Sequence, residues 1–364
     1  MKKTLCAVIA VMLMMLFSVT ALGADTDDVL SAVPDELKEY LPDTGDAAEA
    51  SDVASAFDAG WLLKTILSIL SDVAPKAVSS VVTVLGILII ASVLAVVRDT
   101  TASGTLKNVL TYVCSVCICG ASYGLIGGLI GMVSEFTGRM GEFLRYVLPA
   151  LGALMASEGA ITASSVGCAV VYGAVALLEK LTEGFVFPMI KISFCISVGA
   201  GALGNDGLSG ISATVKKLVT SVMTLTMIAF SCVLTFQSIV ARSADSVLFK
   251  GVKFALSNII PVVGSAVGEA LTAVTGSISV LKSAMGMIGA VAILLIFLYP
   301  FCTLWANKVA FELLSSTAGV LGLSREGKFL SEMSSVTGLM MAVISSSTVF
   351  FIIAMAIFAS SGAG

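Results

Sequence analysis

The stretch AVSSVVTVLGILIIASVLAVV, residues 77–97, holds no charged side chain, and neither does 109–133. An α-helix needs about 20 apolar residues to cross the ~30 Å hydrocarbon core of a bilayer. Lipid offers no partner for a bare N–H or C=O, so such a run folds as a helix that bonds its own backbone. Composition extends the argument to the whole chain. Hydrophobic residues make up 57%, charged residues only 12%, and the mean hydropathy is +1.05. An average soluble domain is about a quarter charged. The charges here are too few to cover a soluble globule of 364 residues. The sequence therefore predicts an all-α polytopic membrane protein with about seven to nine membrane segments.

The start of the chain, MKKTLCAVIAVMLMMLFSVTALGADTDD, reads as a secretory signal peptide over 1–23. Lys2 and Lys3 form the basic region, Leu5 to Phe17 the apolar core, and Ala21-Leu22-Gly23 the small-residue cleavage site. An uncleaved anchor helix is the alternative, and either one exports the segment on its C-terminal side. Residues 24–76 comprise an acidic exported arm and an amphipathic helix from Trp61 to Leu70 that suits a membrane surface. The arm reads either as a partner contact or as a flexible spacer. Two membrane helices occupy 77–133, Ala77–Val97 and Val109–Val133. Arg98 and Lys107 bracket the loop between them, which the positive-inside preference puts in the cytoplasm.

Several chemistries are disfavoured. Histidine is absent, and with it the commonest general base and metal ligand. Seven of the eight cysteines lie in apolar runs, so Cys114, Cys117 and Cys119 read as small packing residues rather than a metal site. No enzyme, cofactor or metal is expected, and no basic stripe with interleaved aromatics points to nucleic acid. Gly120, Gly124 and Gly128 recur at intervals of four and give one helix face a close approach to another backbone. That face serves either a contact with another subunit or packing within the chain, and the second is expected.

A phrase recurs: YVLPALGALMASEG at 146–159 and NIIPVVGSAVGEAL at 258–271. Pro149 and Pro261 stand 112 residues apart, as do Gly152 and Gly264, Phe185 and Phe297, Pro188 and Pro300, Gly207 and Gly319, Gly210 and Gly322, Lys216 and Lys328, and Leu218 and Leu330. This predicts a tandem duplication, membrane repeats 143–240 and 255–352, each with a Pro/Gly-broken helix. Broken helices are tolerated in lipid where they are buried in protein or line a wet path. Pro149, Gly152, Asn258, Pro261 and Gly264 are therefore candidates to line a pore. Lys191 is another, as a cation inside an apolar run that faces a path or partner or snorkels to the surface. Lys308 and Glu312, four apart, are expected to pair. Hydropathy gives an even number of crossings between Lys216-Lys217 and Arg325/Lys328. The repeat register instead predicts two helices near 272–290 and 297–315 and an odd number.

The run Ser257-Asn258-Ile259-Ile260-Pro261-Val262-Val263-Gly264, with Gly327-Lys328-Phe329-Leu330 and the overall layout, resembles the stage III sporulation protein AE family. The resemblance implies a subunit of a sporulation-specific transenvelope channel or secretion-like complex, in the mother-cell membrane around the forespore. Its implied partners are the other proteins of the same operon, among them a cytoplasmic ATPase and exported ring-forming proteins, and a homo-oligomer is allowed. Such a complex supports forespore activity and late sigma-factor activation. The residues alone leave two other readings open: a stand-alone small-solute permease and a membrane scaffold that moves nothing.

Overall fold

The computed structural model describes residues 59–101, 104–157, 160–203, 206–259 and 264–360. The signal-peptide reading, the acidic arm up to residue 58 and Pro261 lie outside the described residues. The helices are α1 (Ala59–Thr101), α2 (Gly104–Ser157), α3 (Ile161–Leu181), α4 (Phe187–Leu203), α5 (Asp206–Ile259), α6 (Gly264–Val320) and α7 (Ser324–Ser360). A single π turn, Thr182–Val186, joins α3 to α4 without a loop. No strand occurs among the described residues.

Six helical stretches among the described residues are long and apolar enough to cross a membrane. They are Leu63–Val96, Ser115–Ser157, Ser164–Ala200, Gly210–Gln237, Gly289–Val320 and Ser324–Ala356. The sequence pattern divides the same residues more finely because prolines and charges interrupt the hydropathy without interrupting the helix. Pro75, Pro149 and Pro300 all sit inside continuous helices. Trp61 to Leu70 is not a separate helix but the opening of α1. Likewise the two helices expected near 272–290 and 297–315 are one, within α6.

Contacts between helix ends fix the topology. The Ser115 hydroxyl near the start of α2 donates to Glu326 near the start of α7. Ser212, early in α5, meets Ser193 of α4 and Glu332 of α7. The α1–α2, α4–α5 and α6–α7 connections therefore share one end of the bundle. At the other end Gly289 of α6 lies against Met355 of α7 and Val147 of α2. Consecutive spans run antiparallel, with α3 and α4 counting as one. Lys216-Lys217 and Arg325 with Lys328 therefore lie toward the same end of the bundle.

The helix boundaries do not follow the expected duplication. The π turn at Thr182–Val186 has no counterpart at 294–298, which run through unbroken α6. Gly210 lies inside α5, whereas its partner Gly322 adopts φ +75° in the α6–α7 turn.

Lipid tails are as apolar as leucine, so packing and interhelical hydrogen bonds, not water exclusion, hold such a bundle together. The interior is filled: Phe297, Phe311, Phe350, Phe351, Met140 and Leu144 are buried. Phe350 meets the rings of Phe230 and Phe351 at 5.4 and 5.5 Å, within the range where tilted aromatic pairs attract.

The α6–α7 turn is a helix C-cap that closes α6. The Leu323 N–H donates to Ala318 C=O at 2.9 Å and the Gly322 N–H to Gly319 C=O at 3.2 Å, with Gly322 in the left-handed region. Asparagine tolerates that conformation and β-branched residues do not. Gly322→Val is expected to lower the melting temperature in detergent, at a cost of about 1–2 kcal/mol. Gly322→Asn should stay close to the parent; equal melting of the two variants would remove the turn from this role.

Candidate functional site: charged residues inside the bundle

The apolar runs of α5 and α7 each carry charge near the end where their connections lie, and the fold brings those charges together. Lys216 of α5 donates to Glu332 of α7 at 2.7 Å and to the Ser335 hydroxyl at 2.9 Å. Ser197 of α4 and Ser212 of α5 donate to the same Glu332 oxygen at 3.4 and 3.3 Å. Ser193 and Ser197, one turn apart on α4, both reach the Ser212 hydroxyl. The three serines are fully buried, and the two charged side chains are only 12% and 23% exposed. An isolated charge at the centre of a bilayer costs several kcal/mol, so it survives where a partner and hydrogen bonds surround it. Here hydroxyls from two helices and an ammonium from one converge on a single carboxylate.

A second cluster joins α6 to α7. Lys308 pairs with Glu312 as its i,i+4 spacing predicts. Lys308 also donates to the Ser334 hydroxyl at 3.2 Å, and that hydroxyl donates to Glu312 at 3.1 Å. Glu332 and Ser334 stand two positions apart along α7, so both clusters grip the same stretch of that helix. Closer to the turn, the Ser315 hydroxyl donates to Gly327 C=O at 2.8 Å, and Glu326 is buried against Ser115. Together these bonds tie α2, α4, α5 and α6 to the first turns of α7. They are directional, so α7 cannot slide or rotate without exchanging partners.

The expected break at Pro149 is instead a proline inside unbroken α2. Proline has no N–H and leaves the carbonyl four residues earlier, Arg145, without its helical donor. The Tyr172 hydroxyl of α3 donates to that oxygen at 3.0 Å. Along the same face of α3, Cys168 Sγ lies 3.6 Å from Leu148 C=O and the Ser164 hydroxyl donates to Gly152 C=O at 2.6 Å. Gly152 is buried, and a Cβ there would stand 2.7 Å from Cys168 Sγ. Pro149 and Gly152 thus form a packed contact with α3, with the Pro149 ring on the outside of the bundle.

Other candidates fall in different places. α5 ends at Ile259 and α6 opens at Gly264; the Asn258 side chain and Pro261 lie outside the described residues. Lys191 is exposed on the outer face of α4 rather than turned toward the interior. Gly120, Gly124 and Gly128 also point outward, with nothing within 4 Å of a Cβ built on any of them. The expectation that they pack within the chain is therefore corrected. Cys119 is buried as expected, but Cys117 is exposed.

Sequence reading took Lys216 as a marker of membrane side and a match to Lys328, and passed over Glu332, Ser193, Ser197 and Ser212. The available signal for Glu332 was an acid at the entrance to the apolar run of α7, four residues after Lys328. Removing either member of a buried pair leaves the other uncompensated. Lys216→Met and Glu332→Gln are each expected to lower the detergent melting temperature. The double variant should lose less than the two separate losses combined, a coupling of about 1–3 kcal/mol. Strict additivity in that cycle would show that the pair contributes nothing.

The family model described as stage III sporulation protein AE matches residues 49–362. The stage III sporulation protein AE of Bacillus subtilis (strain 168) is 21% identical over 193 residues, covering 53% of this chain and 48% of that protein. The match thus spans about half the length of that curated relative. No solved structure matches the chain. The matched residues take in all seven helices and both charged clusters, and the chain belongs to the stage III sporulation protein AE family.

Proposed function

We propose that this protein is an integral membrane subunit of a transenvelope channel or secretion-like complex that joins mother cell and forespore during sporulation. It resides in the mother-cell membrane around the forespore, with its acidic N-terminal arm exported. The basic end of the bundle (Lys216-Lys217, Arg325, Lys328 and the loop between Arg98 and Lys107) faces the cytoplasm. That orientation follows from the positive-inside preference applied to three connections that share one end. The partners are the other products of the same operon, including a cytoplasmic ATPase and exported ring-forming proteins. The chain itself carries out no chemical step. Its contribution is to sustain forespore activity and late sigma-factor activation through the conduit.

The observation that carries this reading is the family match over nearly the whole chain, joined to the charged layer. The Lys216–Glu332 and Lys308–Glu312 clusters hold four helices in register at the basic end, where a cytoplasmic partner would push or pull. Over a stand-alone permease, the reading is favoured by the aromatic-filled core of the described residues. A path through that core would have to displace Phe297, Phe311, Phe350 and Phe351. The sequence duplication is taken as the origin of the two halves of the body.

The test is affinity purification of the tagged full-length chain from membranes of sporulating cells of its own source, alongside a deletion strain. Recovery of an ATPase and exported partners, with forespore gene expression arrested in the deletion, is expected. A chain that purifies alone, and whose loss leaves sporulation intact, would refute the reading.

A further inference from the structure

A serine or threonine inside a membrane helix commonly donates its hydroxyl to the carbonyl one turn back on the same helix. Thr137, Thr182, Ser316 and Ser347 all do so. Ser193 and Ser212 are turned instead toward other side chains. Their hydroxyls lie 3.0 Å apart, and Ser212 also lies 3.1 Å from the Ser197 hydroxyl and 3.3 Å from Glu332 Oε2. Ser197 stands 3.4 Å from the same carboxylate oxygen but nearer, at 2.9 Å, to the Ser193 carbonyl.

The protons available to this cluster can be counted. Five oxygen–oxygen contacts join three hydroxyls, one carbonyl and one carboxylate. A hydroxyl carries one proton and an ionised carboxylate none, so three protons serve the five contacts. The surplus of oxygen lone pairs calls for a positive charge beside it. The two contacts to Glu332 are also long, since a hydroxyl bonded to a carboxylate ordinarily stands about 2.5–2.7 Å away. Oxygens placed at right angles around a calcium-sized ion, each about 2.3–2.6 Å from it, are about 3.3–3.7 Å apart. Sodium is close to calcium in size, and the 3.3 and 3.4 Å separations match that spacing.

Lys216 supplies the charge at present, with Nζ 2.7 Å from Glu332 and 2.9 Å from the Ser335 hydroxyl. We propose that Glu332, Ser197, Ser212 and Ser335 form a binding site for a small monovalent cation. Lys216 fills it as a tethered ammonium, and a free alkali ion such as sodium takes it when Lys216 is withdrawn. The single carboxylate sets the charge of the occupant, because a divalent ion would leave an unbalanced charge in a buried place. Among the described residues no group of His, Cys, Asp and Glu gathers to hold a transition metal. Glu332 is part-exposed and Ser335 exposed, so an ion reaches the site without crossing the aromatic core. Exchange of the ammonium for a free ion releases α5 from α7 and leaves the carboxylate neutralised. This inference rests on the cluster itself and not on the sporulation complex.

The test compares the full-length parent, Lys216→Ala and the double variant Lys216→Ala/Glu332→Gln, each purified in detergent at about pH 8, well above the carboxylate range. Melting temperature is followed as sodium chloride replaces choline chloride at constant ionic strength, which keeps screening unchanged. A ligand that binds only the folded state raises the melting temperature as its concentration rises. Lys216→Ala is expected to gain several degrees in sodium, and the parent and the double variant to gain none. Methylammonium chloride, a free copy of the missing charge, is expected to substitute for sodium in Lys216→Ala. If Lys216→Ala does not yield folded protein, Lys216→Met, which keeps the apolar stem, takes its place in the same series. Equal melting of the lysine variant in sodium and choline, or an equal sodium response in the double variant, would overturn the proposal. So would stabilisation of the lysine variant by acid alone, which would mean that the stranded Glu332 takes up a proton and not a cation.

Discussion

A carbonyl freed by proline inside a bilayer has no water to turn to. Every irregularity in this bundle has to be answered by a neighbouring helix, and that requirement decides which helices lie together. The Arg145 oxygen, stripped of its donor by Pro149, is met by Tyr172. Ser164 and Cys168, at four-residue steps on the same face of α3, meet the next carbonyls of α2. The same demand acts on charge. Glu332 can lie in an apolar helix because Lys216, Ser197 and Ser212 arrive from two others. Satisfying polar groups is thus the ordering principle here, and the aromatic core fills the space that it defines.

How much of this was legible depended on the distance over which each signal acts. Helices and their membrane character are local properties of apolar runs, and 77–97 announced them at once. The Lys308–Glu312 pair was equally legible because both residues share one helix face. Pro149 was misjudged as a break, since its partner Tyr172 lies on another helix and no local pattern reveals that the freed oxygen is met. Gly120, Gly124 and Gly128 were placed correctly on one face but given the wrong neighbour. Spacing tells which residues share a face; it does not tell what that face touches. The Glu332 network was missed for the same reason: Glu332 lies more than 100 residues along the chain from Ser197, Ser212 and Lys216.

The matches at an offset of 112 raise a related point. Identical residues at an offset of 112 end in unlike settings, Gly210 within a helix and Gly322 in a left-handed turn. Glycine permits both, since it lacks the Cβ that would exclude the second. Proline behaves similarly: Pro188 stands just after a π turn, while Pro300 is carried inside α6. Five of the eight matches named at that offset are glycines or prolines, the residues least tied to a single use, so such a match need not mark equivalent places in the fold.

The short turn at Gly322 has a bearing on how the protein enters the membrane. α6 and α7 are joined by three residues, and the Lys308–Glu312–Ser334 cluster spans the resulting hairpin. Released singly into lipid, α6 would carry a lysine and a glutamate without the third member of their cluster, and α7 would expose Glu332. As a hairpin, the two arrive with one charged set already neutralised and leave Glu332 waiting for Lys216 of α5. Synthesis from the N-terminus places α5 in the membrane first. The last two helices then have a docking partner in place, and chain order and charge pairing favour the same sequence of assembly.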